Sequence, residues 1–184
     1  QSEPKAPSVQ TQQHRASEEQ TDADGIQLQV LLIQIDTELA VLNQLPALAK
    51  PQLAAKQQAL LANMLHWLGR PMPAVPTPRI FKWPMPGLPV VNNRQEAGIG
   101  LARFLEQACI ESSFRHLLVL GEQAADCLAT SKSAEVLQSQ WQQVNTHSLD
   151  EMLAMPQLKR AVWQTLLPLH AALSSAASNT VTDQ

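Results

Sequence analysis

Residues 116–129, HLLVLGEQAADCLA, predict the fold class of this chain most clearly. Its first part, His116–Leu120, is apolar and short enough to be a strand buried on both faces. Gly121 allows a tight turn, and Glu122–Ala129 has the composition of a helix. A strand followed at once by a helix is the repeating unit of α/β proteins.

The same alternation extends along the chain in both directions. Apolar or β-branched runs predict three further strands, Gln27–Ile35, Arg79–Trp83 and Gln142–Thr146. Helices are predicted at Pro51–Leu68, at Asn93–Glu111, after Ser148 and at Pro156–Leu173. Asn93 is the predicted N-cap of the second of these helices, and Ser148 with Glu151 is predicted to form a capping box at the start of the third. We therefore predict a small three-layer α/β domain with a mostly parallel four-stranded sheet. Trp163 is predicted to be buried against that sheet.

Two composition changes predict the domain boundaries. Residues 1–25 are mostly Gln, Ser, Glu, Pro and Thr, which cannot bury enough apolar surface to offset the entropy of ordering them. We expect a disordered N-terminal arm there, an α/β domain at residues 26–173, and a disordered C-terminal tail at residues 174–184.

Composition narrows the classes of function. The net charge of −3 gives no general reason to expect nucleic-acid binding. Cys109 and Cys127 lack CxxC spacing, and the five histidines are scattered, so we expect reduced thiols, no metal site and no cofactor. No apolar run approaches the ~20 residues of a membrane span. We expect a cytoplasmic protein with no membrane partner.

Three places invite a catalytic interpretation, because open α/β sheets bind ligands at strand ends. Asp36-Thr37-Glu38 follows the first strand without a glycine-rich turn, which favours a solvated acid over a general base. Gly121 could open an anion site at the next helix, although tight packing explains a single glycine better. His147-Ser148 lacks a nucleophile elbow, and the helix cap already explains Ser148. We predict no complete catalytic site.

A proline-rich segment, Phe81-Lys82-Trp83-Pro84-Met85-Pro86, is a candidate partner-binding site. Phe81, Trp83 and Met85 would be stiffened by the neighbouring prolines, and rigid aromatic side chains are common in protein contacts. The alternative is a loop folded back over the edge of the sheet.

Three blocks of sequence, in the right order, resemble the uracil-DNA glycosylase superfamily. LLANMLHWLG (residues 60–69) resembles the "LL..ML..LG" helix, LVLGEQAA (residues 118–125) the "vl.lG..Aa" strand and helix, and THSLDEMLAMPQLKRAVW (residues 146–163) the "HP..LL..P..K...W" ending. The resemblance implies a glycosylase-like fold. However, the glycine loop that carries the catalytic acid or amide is replaced by Asp36-Thr37-Glu38-Leu39-Ala40, and the His-Pro pair reads His147-Ser148.

The predicted α/β domain also resembles a non-enzymatic family, the psi subunits of the bacterial DNA polymerase III clamp-loader complex. Their "L..L..NP..R.ALW..I" ending is matched by Leu149, Leu153, Met155-Pro156 and Arg160-Ala161-Val162-Trp163. This resemblance implies a non-catalytic adaptor in DNA replication. It would bind the chi subunit, and through chi would reach single-stranded DNA-binding protein indirectly. The family's N-terminal peptide, "YL..lGI..W..R", has no counterpart here, so contact with the tau/gamma subunits is expected from a segment before Gln1.

Two other classes of function stay open at this stage. One is a divergent glycosylase-fold enzyme acting on DNA bases, in which Asp36 and His147 would work together. The other is a protein-interaction domain unrelated to replication.

Overall fold

The computed structural model describes residues 25–74, 77–87, 91–131 and 141–179. These residues form five strands and five helices. In chain order they are β1 (Leu28–Gln34), β2 (Leu39–Leu45), α1 (Ala55–Trp67), β3 (Arg79–Trp83), α2 (Arg94–Ser112), β4 (His116–Leu120), α3 (Glu122–Thr130), β5 (Gln142–Thr146), α4 (Leu149–Ala154) and α5 (Leu158–Asn179).

The strands form one mixed sheet in the order β3-β1-β2-β4-β5. β1 pairs antiparallel with both β2 and β3, whereas β2–β4 and β4–β5 are parallel. The α/β class is confirmed. The prediction of a mostly parallel four-stranded sheet is wrong, because the sheet contains β2 and half of its pairings are antiparallel.

The side chain of Asp36 makes the turn that joins β1 to β2. Its Oδ1 atom accepts hydrogen bonds from the backbone amides of Glu38 and Leu39, at 2.7 and 2.8 Å. Its Oδ2 atom lies 3.1 Å from Nη1 of Arg70. A carboxylate that bonds to amides two and three residues ahead closes a turn without glycine. The chain therefore doubles back into β2 instead of crossing over.

Helices cover both faces of the sheet, which completes a three-layer arrangement. Side chains alternate along β1, so Val30 and Leu32 face α2 and α3, whereas Leu31 and Ile33 face α1, α4 and α5. The four side chains are nearly or fully buried. The sheet thus separates two apolar cores, one on each face.

The other predicted elements are present with small shifts at their ends. Asn93 caps α2 by accepting from the amide of Glu96 at 2.8 Å, as predicted. The first helix begins at Ala55 rather than Pro51, and the last begins at Leu158 rather than Pro156. Helix α5 continues to Asn179, past the predicted end at Leu173, so part of the predicted C-terminal tail is helical. Residues 1–24 of the predicted N-terminal arm lie outside the described residues.

Among the described residues, no helix combines the length and the apolar character that crossing a bilayer requires.

Candidate functional site

The carboxyl ends of the parallel strands β2, β4 and β5 meet at one edge of the sheet. Register places Asn43, Leu120 and Thr146 side by side there, with Gly121 and His147 immediately beyond. Ligands of α/β proteins usually bind at such an edge, so its polar groups are the first candidates for chemistry.

Gln44 fills the space at the start of α3. Its Oε1 atom accepts from the amide of Ala124 at 3.1 Å, and its Nε2 atom donates to Oε1 of Gln123 at 3.1 Å. Gly121 has φ of +132°, and a Cβ atom there would lie 2.5 Å from Cβ of Gln44. Gly121 therefore serves close packing and an unusual backbone angle, and a neighbouring side chain occupies the place that an anion would need.

Ser148 and Glu151 form the predicted capping box at the start of α4. The amide of Glu151 donates to Oγ of Ser148 at 3.2 Å, and Oε2 of Glu151 accepts from the Ser148 amide at 2.7 Å and from its hydroxyl at 3.0 Å. His147 Nδ1 lies 3.8 Å from the same Oε2 atom. The hydroxyl of Ser148 thus donates to a carboxylate and not to His147, and the pair does not form a nucleophile with its base.

Asn43 connects the carboxyl end of β2 to α4 through a hydrogen bond inside the protein. Its side chain is fully buried, and Oδ1 accepts from the amide of Leu149 at 3.4 Å. Next to it in α4, Asp150 accepts from Nε2 of Gln57 at 2.7 Å. Nδ2 of Asn43 and Oδ2 of Asp150 are buried without a hydrogen-bond partner among the described residues. The other hydrogen bonds of Asn43, Gln44 and the capping box are all made within the protein.

A shallow cleft of about 380 Å³ lies beside His147 at this edge. Helices α3 and α5 contribute Glu122 and Thr165 to it, and β5 contributes Asn145 and Thr146. Asp126, also on its wall, lies 3.4 Å from Nη1 of Arg94.

Asp36 lies at the opposite edge of the sheet. Because β1 runs antiparallel to β2, the end of β1 is next to the beginnings of β2 and β4. The four residue steps from Leu39 to Asn43 alone span roughly 13 Å. Asp36 and His147 therefore do not share a site, and both carboxylate oxygens of Asp36 already have partners.

The segment predicted to bind a partner is folded into the core. Phe81 and Trp83 are each only 5% exposed, and their rings stack with centroids 6.4 Å apart. The indole N–H of Trp83 donates to Oδ1 of Asn92 at 3.0 Å, and half-buried Met85 packs against the same core. The prediction of exposed contact side chains is wrong for Phe81 and Trp83, which are buried. They do not form a loop folded back over the sheet edge either, because Phe81 and Trp83 belong to β3, the edge strand itself.

An aromatic cluster between α1 and α5 was not predicted from the sequence. The ring of Trp67 lies 5.1 Å from that of Trp163, edge to face, and 4.7 Å from the ring of His170. Trp163 is half-buried instead of buried; it packs against the core on this face of the sheet, and its aromatic contact is with Trp67 of α1. Leu167, between Trp163 and His170 on α5, is 55% exposed. The spacing of 163, 167 and 170 is a helical stripe, which could have indicated the cluster.

The two thiols are free. Burial raises the pKa of Cys127 to about 11 and also raises that of Cys109. Both are therefore neutral at physiological pH, and a neutral thiol is a poor nucleophile and metal ligand. In the part of the chain that the structure describes, no group of three or more His, Cys, Asp or Glu side chains could hold a metal ion.

Comparison with protein-family models, with curated proteins and with solved structures gives no match.

Proposed function

We propose that this protein is a non-catalytic adaptor subunit of the DNA polymerase III holoenzyme, of the psi type, which acts in the cytoplasm. It links the clamp loader, through its tau/gamma subunits, to a chi subunit, and through chi indirectly to single-stranded DNA-binding protein. The observation that carries the proposal is the occupied sheet edge. Gln44 caps α3, and Asn43, Ser148 and Glu151 hold α4, so these polar groups stabilise the fold instead of facing a substrate.

The residues of the psi-like ending support the proposal because they form one helix, the turn after it and the start of the next helix. Leu149 and Leu153 lie in α4, Met155-Pro156 lie between the helices, and Arg160 and Trp163 lie in the first turns of α5. Leu149 is buried in the core beneath α4, and Trp163 reaches across to Trp67 of α1. Within this pattern Leu149 and Val162 are buried, whereas Met155 is 44% exposed.

Mixing the purified chain with a chi-like subunit tests the proposal. We expect a stable, near-equimolar complex that co-elutes in gel filtration and gives a saturating heat signal in titration calorimetry. Absence of both signals, with both proteins folded, would refute the adaptor function.

The glycosylase alternative requires Asp36 and His147 in one active site, and they lie at opposite edges of the sheet. We expect no uracil release from single- or double-stranded DNA. Excision that disappears in His147→Ala would overturn the proposal.

A further inference from the structure

The two helical layers of the protein differ in charge. Helices α2 and α3 carry the carboxylates of Glu96, Glu106, Glu111, Glu122 and Asp126 against only Arg94 and Arg103. Helices α1 and α5 contain no Asp or Glu, and they carry Lys56, Lys159, Arg160, His66 and His170. The layer of α1, α4 and α5 is therefore basic along α1 and α5. Its helical carboxylates are Asp150 and Glu151 of α4, which accept hydrogen bonds from Gln57 and from Ser148.

The aromatic cluster lies on that basic face. We define the α1–α5 seam as Trp67, Trp163, Leu167, His170, Lys159 and Arg160. Lys159 and Arg160 precede Trp163 by four and three residues, the spacings at which side chains are neighbours on a helix. Within the described residues neither cation has an ion pair. The seam thus has an apolar centre, with exposed Leu167 beside two half-buried Trp rings, and a basic rim.

We propose that the α1–α5 seam is the docking surface for the partner of the adaptor, and that the partner presents an apolar patch rimmed by carboxylates. The proposal rests on the proposed function and names the surface that serves it. Trp and Leu at the centre with cations at the rim match the anatomy of protein interfaces, in which central aromatic anchors carry most of the affinity. Unpaired lysine and arginine side chains select an acidic partner and steer its approach.

A protein partner fits the seam better than single-stranded nucleic acid does. Trp67 and Trp163 pack edge to face against each other and are half-buried, so much of each ring is already in contact within the protein. Stacking of successive bases requires open ring faces along a basic groove. Two adjacent unpaired cations also provide few phosphate contacts.

Charge reversal at the rim tests the proposal in the full-length chain. Lys159→Glu/Arg160→Glu should weaken binding of the chi-like subunit by roughly tenfold or more, and should abolish most of the weakening that salt produces in the wild-type complex between about 50 and about 500 mM NaCl. Leu167→Asp should weaken binding comparably at either salt concentration, because it places a charge in the apolar centre. These side chains lie at the surface, so thermal midpoints near that of the wild type should verify folding.

Matched controls lie on the opposite helical layer. Arg103→Glu reverses an exposed cation of α2, and Ile110→Asp places a charge at a side chain that is 69% exposed. Both controls should bind the partner as the wild type does. A photo-crosslinking residue at position 167 should capture the partner, and one at position 110 should not.

The outcomes separate the two proposals. Normal complex formation by both seam variants overturns this inference and leaves the adaptor function intact. No binding by the wild-type chain refutes the adaptor function and the inference together. Tight binding of an oligothymidylate of about 30 nucleotides, lost in the seam variants, would instead make the seam a nucleic-acid site and overturn the inference.

Discussion

Asp36 shows how one side chain can determine topology. Its Oδ1 atom holds the turn amides of Glu38 and Leu39, and its Oδ2 atom pairs with Arg70, whose other guanidinium nitrogen donates to the carbonyl of Leu173 at 3.4 Å. A single carboxylate therefore fastens the β1–β2 turn to the end of α1 and to α5.

Two substitutions of Asp36 test separately its hydrogen bonds to the turn amides and its ion pair with Arg70. Asp36→Ala removes the amide acceptor and the ion pair, and we expect a loss of about 1–3 kcal/mol of unfolding free energy. Asp36→Asn keeps an acceptor for the amides and loses only the charge, so its loss should be smaller. Urea denaturation measures both, and equal losses for the two variants would contradict the turn-closing role of Oδ1.

His116 makes stability depend on pH. It is 9% exposed, its Nδ1 atom has no hydrogen-bond partner among the described residues, and burial lowers its pKa from the ordinary value of 6.5. The positive charges of Arg70 and Arg115 act in the same direction, and Glu38 and Asp36 oppose them. Because the unfolded chain binds a proton that the folded chain resists, stability should fall as the pH drops below about 6.5.

The pH effect can be assigned to His116 by substitution. Urea midpoints measured between about pH 7.5 and about pH 5.5 should decline in the wild type and in His66→Gln, since His66 is exposed. The decline should be smaller in His116→Gln, which cannot titrate. An unchanged decline in His116→Gln would assign the effect to other groups.

At the scale of elements, strand β2 marks the limit of what the sequence could predict. The other four strands were predicted to within one residue at each end, because apolar runs of strand length identify buried strands without any knowledge of their partners. Strand β2, with the sequence LAVLNQL, follows Asp36-Thr37-Glu38 with no Asn-Gly or Gly pair to signal a hairpin. Its turn is closed by a side chain whose anchor, Arg70, is distant in sequence.

The candidate site was predicted only in part for the same reason. The capping box of Ser148 and Glu151 is local, because its two residues are three positions apart, and it was predicted correctly. The packing of Trp67 against Trp163, and of Trp83 into the core, depends on contacts between distant elements. Contacts between distant elements cannot be predicted from a single sequence before its fold is known.

Strand β3 should contribute strongly to the stability of the domain through Trp83. Trp83 packs in the core and donates a hydrogen bond to Asn92, so Trp83→Ala should cost about 3–5 kcal/mol and lower the thermal midpoint sharply. Trp83→Phe keeps most of the apolar volume and should lose less. A fully stable Trp83→Ala variant would show that the segment is not packed as described.

At the scale of the whole molecule, one sheet serves two cores. Strands β1, β2 and β4 contribute side chains to the cores on both faces of the sheet. Because the two cores share these strands, loss of one core should also disrupt the other. The domain should therefore unfold as one cooperative unit.

Matched core truncations test this cooperativity. Leu101→Ala opens the core under α2, and Leu61→Ala opens the core under α1; both residues are fully buried. Each should cost about 2–5 kcal/mol and shift a single transition to lower temperature. Two separate transitions in calorimetry, with only one of them shifted by each variant, would show that the cores are independent.

The mixed sheet also determines an order of events as the chain folds. The β1–β2 hairpin pairs segments that are neighbours in the chain, whereas the β2–β4 ladder pairs Leu39 with His116 and needs α1, β3 and α2 to be gathered first. Closing long loops costs entropy before any contact compensates for it, so we expect the hairpin to form early, the β2–β4 pairing to set the rate, and the edge strand β5 to join afterwards. Substitutions in the Asp36 turn should then slow folding, while substitutions along β5 should mainly speed unfolding.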